Sequence, residues 1–224
     1  MIGVGVTVHN RHDVAAHTIE RWRAMLPAGA RLVVVDDGSE APLPGADHRF
    51  DPGRGVAQAK NKCLELLDGC EHTFLSDDDC WPVAEEWWEP YVTSPLPHLM
   101  YLWGGRVIEE RDGWVARSAF HGCLIYTRRT ALDVVGGMRP EFGRFGWEHV
   151  EWSRRIHFAG LTPHKYIDVA GSDRLWHSMD QVARAGGPGH PSSVGPDRKT
   201  IAAANKPLLA ECVGSTDYVD YREA

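Results

Sequence analysis

The chain of 224 residues lacks several features that mark common classes of protein. It has no apolar run long enough to cross a membrane, so an integral membrane protein is not expected. Positive charge is also scarce, because 24 Lys and Arg stand against 31 Asp and Glu, a formal net charge of −7. Nucleic acid is therefore not the expected partner, since contacts from basic side chains to phosphates supply most of the affinity in such complexes.

Cysteine is sparse and is not arranged for metal binding. The five Cys residues are an odd number, and no two of them form a CxxC pair. Thiols of this kind are expected to stay reduced, as they do in the cytoplasm, so we expect a cytoplasmic protein without a disulfide framework. A chain of this length is expected to fold as one domain around a substantial core.

What the chain does contain is an alternation of strand-like and helix-like segments. Runs rich in β-branched and apolar residues at 2–8, at 31–35 and from Thr73 are separated by segments with helical spacing of apolar residues. This order predicts an α/β fold with a central, mostly parallel sheet flanked by helices. A second, less regular half is predicted to contain a hairpin over 106–118 and a helix that begins near Glu148.

Polar residues stand where three of the predicted strands end. Thr7 ends the first strand, Asp36 and Asp37 follow the second, and Asp77–Asp79 follow the third. Ligands of parallel sheets bind outside the carboxyl ends of the strands. In an extended segment Asp77 and Asp79 point the same way, and carboxylate oxygens suit Mg²⁺ or Mn²⁺. Taken alone, Asp77–Asp79 could equally form a solvated acidic turn, and Asp36 and Asp37 could equally belong to a tight turn.

Together these segments resemble GT-A glycosyltransferases, in particular the large family 2 group and its galactosyl- and galactofuranosyltransferase relatives. The resemblance covers residues 2 to about 180 and depends on five motifs, found at 7–11, 33–39, 55–61, 74–79 and 136–155. It implies a single GT-A domain over 1–180, with a nucleotide-binding half at 1–82 and an acceptor and catalytic half at 83–180. Residues 181–224 are expected to form a flexible loop and a C-terminal tail that packs on the domain.

The resemblance implies a metal-dependent transferase that moves a hexose from a nucleotide-sugar, usually a UDP-sugar, to an acceptor hydroxyl. Donor contacts are expected from Thr7, Asn10, Arg11, Asp36, Asp37, Lys60, Asp77 and Asp78. Asp77 and Asp79 match the motif that holds Mn²⁺ or Mg²⁺ in this family. His177 falls where several relatives have a third metal ligand, and His164 is the alternative.

The expected catalytic helix departs from the family pattern. Inverting relatives begin this helix with Glu-Asp or Asp-Asp, and the second carboxylate deprotonates the acceptor. This chain has Glu148 and His149, with Glu151 two positions after His149. His149 can act as the base, because imidazole titrates at about pH 6.5. Alternatively Glu148 is the base, Glu148 and Glu151 only hold acceptor hydroxyls, or the chemistry is retaining; inverting transfer is favoured.

The acceptor is left open between a carbohydrate, a protein side chain and a modified DNA base, of which the acidic balance disfavours DNA. Five Trp residues are candidates either for a sugar platform or for the core: Trp81, Trp87, Trp88, Trp103 and Trp147. The segment 184–199, which contains Arg184, Arg198 and Lys199, is predicted to be a loop that closes over the nucleotide.

Two other functions compete with sugar transfer. A sugar-1-phosphate nucleotidyltransferase would share the sheet and the need for Mg²⁺, but its Gly-rich basic loop is missing after residues 2–8. A sugar- or nucleotide-binding module that has lost catalysis is suggested by His149 in the base position.

Overall fold

The computed structural model describes residues 1–188 and 197–222. The strands are β1 (Ile2–Val8), β2 (Arg31–Asp36), β3 (His48–Arg49), β4 (His72–Asp77), β5 (Cys80–Pro82), β6 (His98–Met100), β7 (Val107–Arg111), β8 (Trp114–Arg117), β9 (Leu124–Arg128), β10 (Ile167–Val169) and β11 (Trp176–Ser178). The α-helices are α1 (His12–Met25), α2 (Val56–Leu66), α3 (Glu89–Val92), α4 (Arg129–Val135), α5 (Glu148–Phe158), α6 (Met179–Arg184), α7 (Arg198–Ala204) and α8 (Lys206–Glu211).

The central sheet has six strands in the order β3-β2-β1-β4-β9-β6. The first four are parallel, and β9 runs antiparallel to both of its neighbours. Thr7 is paired with Val35 on one side and with Asp77 on the other. The predicted mostly parallel sheet is therefore confirmed, and the carboxyl ends of β1, β2 and β4 meet at one edge.

Apolar side chains alternate between the two faces of this sheet, as they must in a strand. Val33 and Val35 join the core on the α2 and α5 side, whereas Val34 joins the core on the opposite side. Helix α2 packs so closely on β1 that a methyl group added at Gly5 would lie 2.5 Å from Cys63 Cβ. Both faces are thus covered, which explains the near-continuous apolar sequence of the strands.

The opposite face carries a cluster of aromatic rings that includes Trp22, Trp87 and Trp176. Ring centroids of Trp22 and Trp87 lie 5.0 Å apart, and those of Trp87 and Trp176 lie 5.2 Å apart. The Trp87 side chain is fully buried, and its Nε1 donates to Met25 O at 2.8 Å. Trp87 is therefore a core residue, one of the two roles that the sequence left open.

The smaller sheets position the second half of the chain. Strands β10, β8 and β7 form one antiparallel sheet, and β11 pairs with β5 in another. The β5–β11 pair places the start of α6 beside the acidic turn after β4, where Met179 N donates to Asp79 O at 3.1 Å. A segment distant in sequence therefore reaches the strand-end edge of the main sheet.

The described part of the C-terminal segment packs against the domain. Leu209 and Tyr221 are buried in the core on the α2 side, and Val219 forms a bridge with Gly136. Of the predicted loop over 184–199, residues 189–196 lie outside the described residues. No helix in the described part of the chain has the length and apolar character needed to cross a membrane.

Candidate active site

Two adjoining cavities open at the carboxyl ends of β1, β2 and β4. The first, here the strand-end cavity, encloses about 700 Å³ and is bordered by Thr7, Arg11, Asp37 and the turn Asp77–Asp79. The second, here the aromatic cavity, encloses about 870 Å³. It is bordered by several aromatic rings, by Lys60 and by the first residues of α5, Glu148 and His149. The two cavities share the residues Val56, Asp77, Phe145, Asp180 and Arg198.

Two basic side chains hold the acidic turn. Lys60 is only 1% exposed, and its Nζ donates to Asp77 Oδ1 at 2.7 Å and to Gly122 O at 3.1 Å. Arg11, immediately before α1, forms an ion pair with Asp78 and a second one with Asp79, where Nη1 lies 3.0 Å from Oδ2. The predicted donor-binding residues Arg11, Lys60, Asp77 and Asp78 therefore lie together.

The turn nevertheless carries more negative than positive charge. Burial, together with the neighbouring Asp77 and Asp180 carboxylates, raises the pKa of Asp79 to about 6 against the opposing effect of Arg11. Asp180 borders both cavities, and sequence reasoning missed it. Its only signal was an acidic residue at the start of a short helix, which usually has no more than a capping role.

The donor set at this edge fits a hard divalent cation. Asp77, Asp79 and Asp180 offer carboxylate oxygens to one cavity, and the raised pKa of Asp79 reflects a charge that a cation would relieve. Among the described residues no three His, Cys, Asp or Glu side chains already form a metal-binding group. A divalent ion at this edge would therefore have to take further ligands from phosphate oxygens and water, as Mg²⁺ commonly does.

The two histidines proposed as third metal ligands lie elsewhere. His177 is paired with Trp81 across the β5–β11 sheet and stacks on its ring, with centroids 4.3 Å apart. His164 Nε2 lies 2.6 Å from Glu109 Oε2, a residue of β7. Neither histidine borders either cavity in the part of the chain that is described, whereas Asp180, three residues after His177, borders both.

The pair Asp36 and Asp37 divides between two roles. Asp36 is fully buried and accepts hydrogen bonds from Ser39 N, Ser39 Oγ and Leu43 N at 2.6–2.9 Å, so it closes the turn after β2. Asp37 borders the strand-end cavity and accepts from Arg54 N and Gly55 N, just before α2. Only Asp37 of the pair is placed to contact a ligand, which differs from the expectation for Asp36.

Asn10 stabilises a contact between two loops rather than lining a cavity among the described residues. Its Oδ1 accepts from Glu40 N at 2.7 Å, and its backbone N donates to Ser39 Oγ at 2.9 Å. These bonds join the loop after β1 to the loop after β2. Among the described residues, Thr7 and Arg11 border the strand-end cavity and Asn10 does not, although a donor contact was expected from all three.

Helix α5 begins with an interacting pair of side chains. Glu148 is 3% exposed, and its Oε2 accepts from Gly146 N at 2.7 Å. Its Oε1 lies 3.2 Å from His149 Nδ1. Burial works to raise the pKa of Glu148, but the hydrogen bond and charge of His149 and the Gly146 N–H outweigh it, so the pKa is lowered. The Glu148 carboxylate is therefore ionised and accepts a hydrogen bond from His149 Nδ1, which carries the proton.

Glu151 lies away from this pair. Its carboxylate is 2% exposed, with Arg155 Nε at 2.8 Å and Arg139 Nε at 3.1 Å. Arg155 also donates to the carbonyls of Val135 and Gly137. Glu151 therefore anchors α5 to the segment after α4. The sequence expectation of a catalytic Glu151 is not met by its position, because Arg155 and Arg139 bind the carboxylate within the core and it borders neither cavity among the described residues.

The C-terminal segment closes one wall of the site. Trp147 Nε1 donates to Ala202 O at 2.6 Å, and Asn205 Nδ2 donates to Phe142 O at 2.7 Å. Arg198 lies over the Phe145 ring at 4.8 Å, with its Nη2 3.9 Å from Asp180 Oδ2. Helix α7 thus holds the loop before Glu148 and brings a cation to the junction of the two cavities.

Sequence comparison gives no assignment, since no protein-family model and no curated protein matches the chain. Structural comparison shows the fold. A mannosyltransferase of Pyrobaculum calidifontis, PcManGT, solved with GDP-Man and Mn²⁺, has a TM-score of 0.59 at 18% identity, covering 94% of this chain and 73% of that one. GalNAc-T7, solved with UDP, GalNAc and Mn²⁺, has a TM-score of 0.61 at 16% identity, covering 75% of this chain and 42% of that one.

The structure of residues 1–349 of TarS from S. aureus gives a similar result. Its TM-score is 0.59 at 13% identity, covering 81% of this chain and 62% of that one. This chain thus spans less than two thirds of the TarS and GalNAc-T7 structures. Likeness at such low identity is a statement about architecture. The chain has the GT-A glycosyltransferase fold.

Proposed function

We propose that this chain is a metal-dependent glycosyltransferase that moves a hexose from a nucleotide-sugar to an acceptor hydroxyl. One observation carries the proposal. The cavity that holds the acidic turn meets, at Asp77, the cavity that holds Glu148 and His149. A donor diphosphate in the first cavity would present its sugar to an acceptor in the second.

The strand-end cavity suits the nucleotide part of the donor. Thr7 and Asp37 stand where the base and ribose would lie, because ligands of such sheets bind outside the strand ends. The neighbouring structures contain UDP in one case and GDP-Man in another. We favour a UDP-sugar, as the sequence motifs imply.

The acidic turn suits the diphosphate with its metal ion. Asp77 and Asp79 are the proposed metal ligands, and Asp180 is a further carboxylate at the same cavity. When bound, Mn²⁺ or Mg²⁺ would act as a Lewis acid that stabilises charge on the leaving nucleotide. Arg11 holds Asp78 and Asp79 in place, and Arg198 adds positive charge at the junction of the cavities.

The pair at the start of α5 suits general base catalysis. Because Glu148 accepts the Nδ1 proton of His149, Nε2 carries the lone pair. That nitrogen is shielded from solvent and has no hydrogen-bond partner among the described residues, so a movement of the ring or its neighbours would let it take the proton of an acceptor hydroxyl. His149 is thus the proposed base and Glu148 its positioning residue, which favours inverting transfer.

A calorimetric panel of UDP, GDP, CDP, ADP and dTDP, each with and without Mn²⁺, tests the proposal. A ligand that binds the native state also raises its apparent stability, so thermal shifts give a parallel readout. We expect binding of UDP that requires Mn²⁺, followed by slow release of the sugar from a UDP-sugar. Binding without sugar release would favour a non-catalytic module, and failure of all five nucleotides would refute the donor site.

A further inference from the structure

The loop over 142–147, which leads into α5, has a backbone that is not favourable by itself. Gly143, Gly146 and Trp147 have φ values of 63°, 107° and 77°, and this left-handed region is uncommon for a residue with a side chain such as Trp147. A conformation of this kind persists where the surrounding structure holds it. The contacts that hold this loop therefore bear on the residue that follows it, Glu148.

Asn205, in the C-terminal segment, binds the backbone of this loop. Its Nδ2 donates to three carbonyl oxygens, those of Phe142 at 2.7 Å, Phe145 at 3.1 Å and Gly146 at 3.2 Å. Three carbonyl groups can be satisfied only by the NH₂ side of an amide, which fixes how the Asn205 side chain is oriented. The side chain makes no capping bond to α8, although Asn205 directly precedes that helix. Its hydrogen bonds thus serve the loop and not its own helix.

Helix α7 contacts the same loop. A methyl group added at Gly146 would lie 2.9 Å from both Cα and Cβ of Ala202, and Trp147 Nε1 donates to Ala202 O at 2.6 Å. On the other side of the loop, Arg144 O accepts from Val56 N, at the start of α2, at 3.3 Å. The loop is therefore held between α2 and the C-terminal segment.

The peptide group between Phe145 and Gly146 links Asn205 to Glu148. Its C=O accepts from Asn205 Nδ2, and its N–H donates to Glu148 Oε2 at 2.7 Å. Because a trans peptide group is planar and its C=O and N–H point in opposite directions, turning one of them turns the other. Without Asn205 this peptide group is free to rotate, and its N–H then no longer holds the carboxylate that lies 3.2 Å from His149 Nδ1.

We propose that Asn205 is a positioning residue for the general base. It orients the Phe145–Gly146 peptide group, which fixes Glu148 and, through Glu148, the tautomer of His149 that carries its proton on Nδ1. Among the described residues Asn205 borders neither cavity, so it acts only through these neighbours. The effect on catalysis rests on the proposed function, whereas the effect on the His149 tautomer does not.

Nitrogen-15 NMR of the histidine side chains tests the inference without any ligand. At about pH 8.5 histidines are generally neutral, and the spectra distinguish the two neutral tautomers. His149→Ala identifies the His149 signals. We expect the Nδ1–H tautomer in the unaltered chain, and a ratio of Nδ1–H to Nε2–H about three- to tenfold lower in Asn205→Ala, the weight of one hydrogen bond. Trp147→Phe keeps a ring, removes the bond to Ala202 O and should shift the ratio in the same direction.

Thr162→Val is the matched control. It removes a side-chain hydrogen bond to a loop carbonyl, His164 O, beyond the other end of α5, and should leave the His149 tautomer unchanged. With a nucleotide-sugar, Asn205→Ala should lower kcat about three- to tenfold. The donor KM should change less, because among the described residues of the loop only Phe145 borders the strand-end cavity.

An unchanged His149 spectrum in folded Asn205→Ala and Trp147→Phe proteins overturns the inference, even if both variants are less stable. A full transfer rate in both variants overturns it as well. Circular dichroism establishes folding, and Trp147→Phe alone decides if Asn205→Ala does not fold. A tautomer shift in variants of a chain that itself transfers no sugar would refute the proposed function and support the positioning role of Asn205.

Discussion

His149 Nδ1 lies 3.2 Å from Oε1 of Glu148, its neighbour in sequence. Adjacent side chains on a helix normally diverge. Here the pair occupies the first turn of α5, after Trp147 adopts a left-handed φ of 77°, and the His149 ring packs against Gly122. With an ionised Glu148, the contact favours the neutral tautomer of His149 that carries its proton on Nδ1, which is the tautomer that the proposed general base requires.

Replacing His149 by Ala tests that role directly. We expect His149→Ala to lower the transfer rate by about 10²- to 10⁴-fold, the usual contribution of a general base, with little change in UDP affinity. His157→Ala is a matched control, because His157 lies on the same helix and contacts Thr162 O. An unchanged rate in the His149 variant would assign the role to Glu148 or indicate retaining chemistry.

Gly122 is expected to matter through the same imidazole. A methyl group added there would lie 2.8 Å from His149 Nδ1, so Gly122→Ala must displace the ring. We expect transfer to fall at least about tenfold, because small displacements of a catalytic group are costly. In the His149→Ala background the added Gly122→Ala should have little further effect, as a double-mutant cycle would measure. Additive losses would contradict this account.

Asp79→Ala is expected to abolish metal-dependent nucleotide binding in calorimetry while the protein stays folded. The physical reason is that this variant removes a carboxylate from a cavity whose other acidic residues are Asp77, Asp78, Asp37 and Asp180. Asp112→Ala, at the exposed turn between β7 and β8, is the control. Mn²⁺-dependent binding of normal affinity in the Asp79 variant would remove this residue from the metal site.

Lys60 and Lys62 offer a matched pair on one helix. Lys60 is buried against Asp77, whereas Lys62 forms an i,i+3 pair with the partly exposed Glu65. We expect Lys60→Met to lower the free energy of unfolding by about 1 kcal/mol or more, because Gly122 O and the partly exposed Asp77 carboxylate lose their hydrogen-bond donor. Lys62→Met should change it by less than about 1 kcal/mol. Urea denaturation measures both, and equal losses would contradict the assignment.

The buried His98 is expected to make the stability of the fold depend on pH. Burial lowers the pKa of His98 to about 3, and its Nε2 lies 2.8 Å from Ser153 Oγ. His98 takes up a proton near pH 6.5 in the unfolded chain but only near pH 3 in the folded chain. The folded state therefore has its full stability above about pH 6.5 and loses stability as the pH falls from there toward 3. Between pH 7 and pH 5 this loss is about 2 kcal/mol.

Urea denaturation of His98→Gln at both pH values isolates this contribution from that of the other histidines. Gln keeps a polar group near Ser153 and does not titrate, so the variant should lose less stability than the unaltered chain on acidification. An identical pH dependence in the two proteins would show that the pKa of His98 is the same in the folded and the unfolded chain.

The sequence alone determined the sheet and the polar residues at its edge. Strand periodicity and the position of a residue directly after a strand are local properties, so Thr7, Asp37 and Asp77–Asp79 could be predicted to converge. The start of α5 is equally local and could be predicted, whereas the catalytic roles expected of Glu148 and His149 came from the resemblance to GT-A glycosyltransferases.

Only the tertiary structure decided which of these side chains reach a cavity. Asp36 and Glu151 have the right chemistry, but strand and helix geometry turn their side chains toward Ser39 and Arg155. Asp180 enters the site because β11 pairs with β5, and Trp103 faces a cavity while Trp87 fills the core. Pairing and packing between segments distant in sequence set these positions, and no local pattern encodes them.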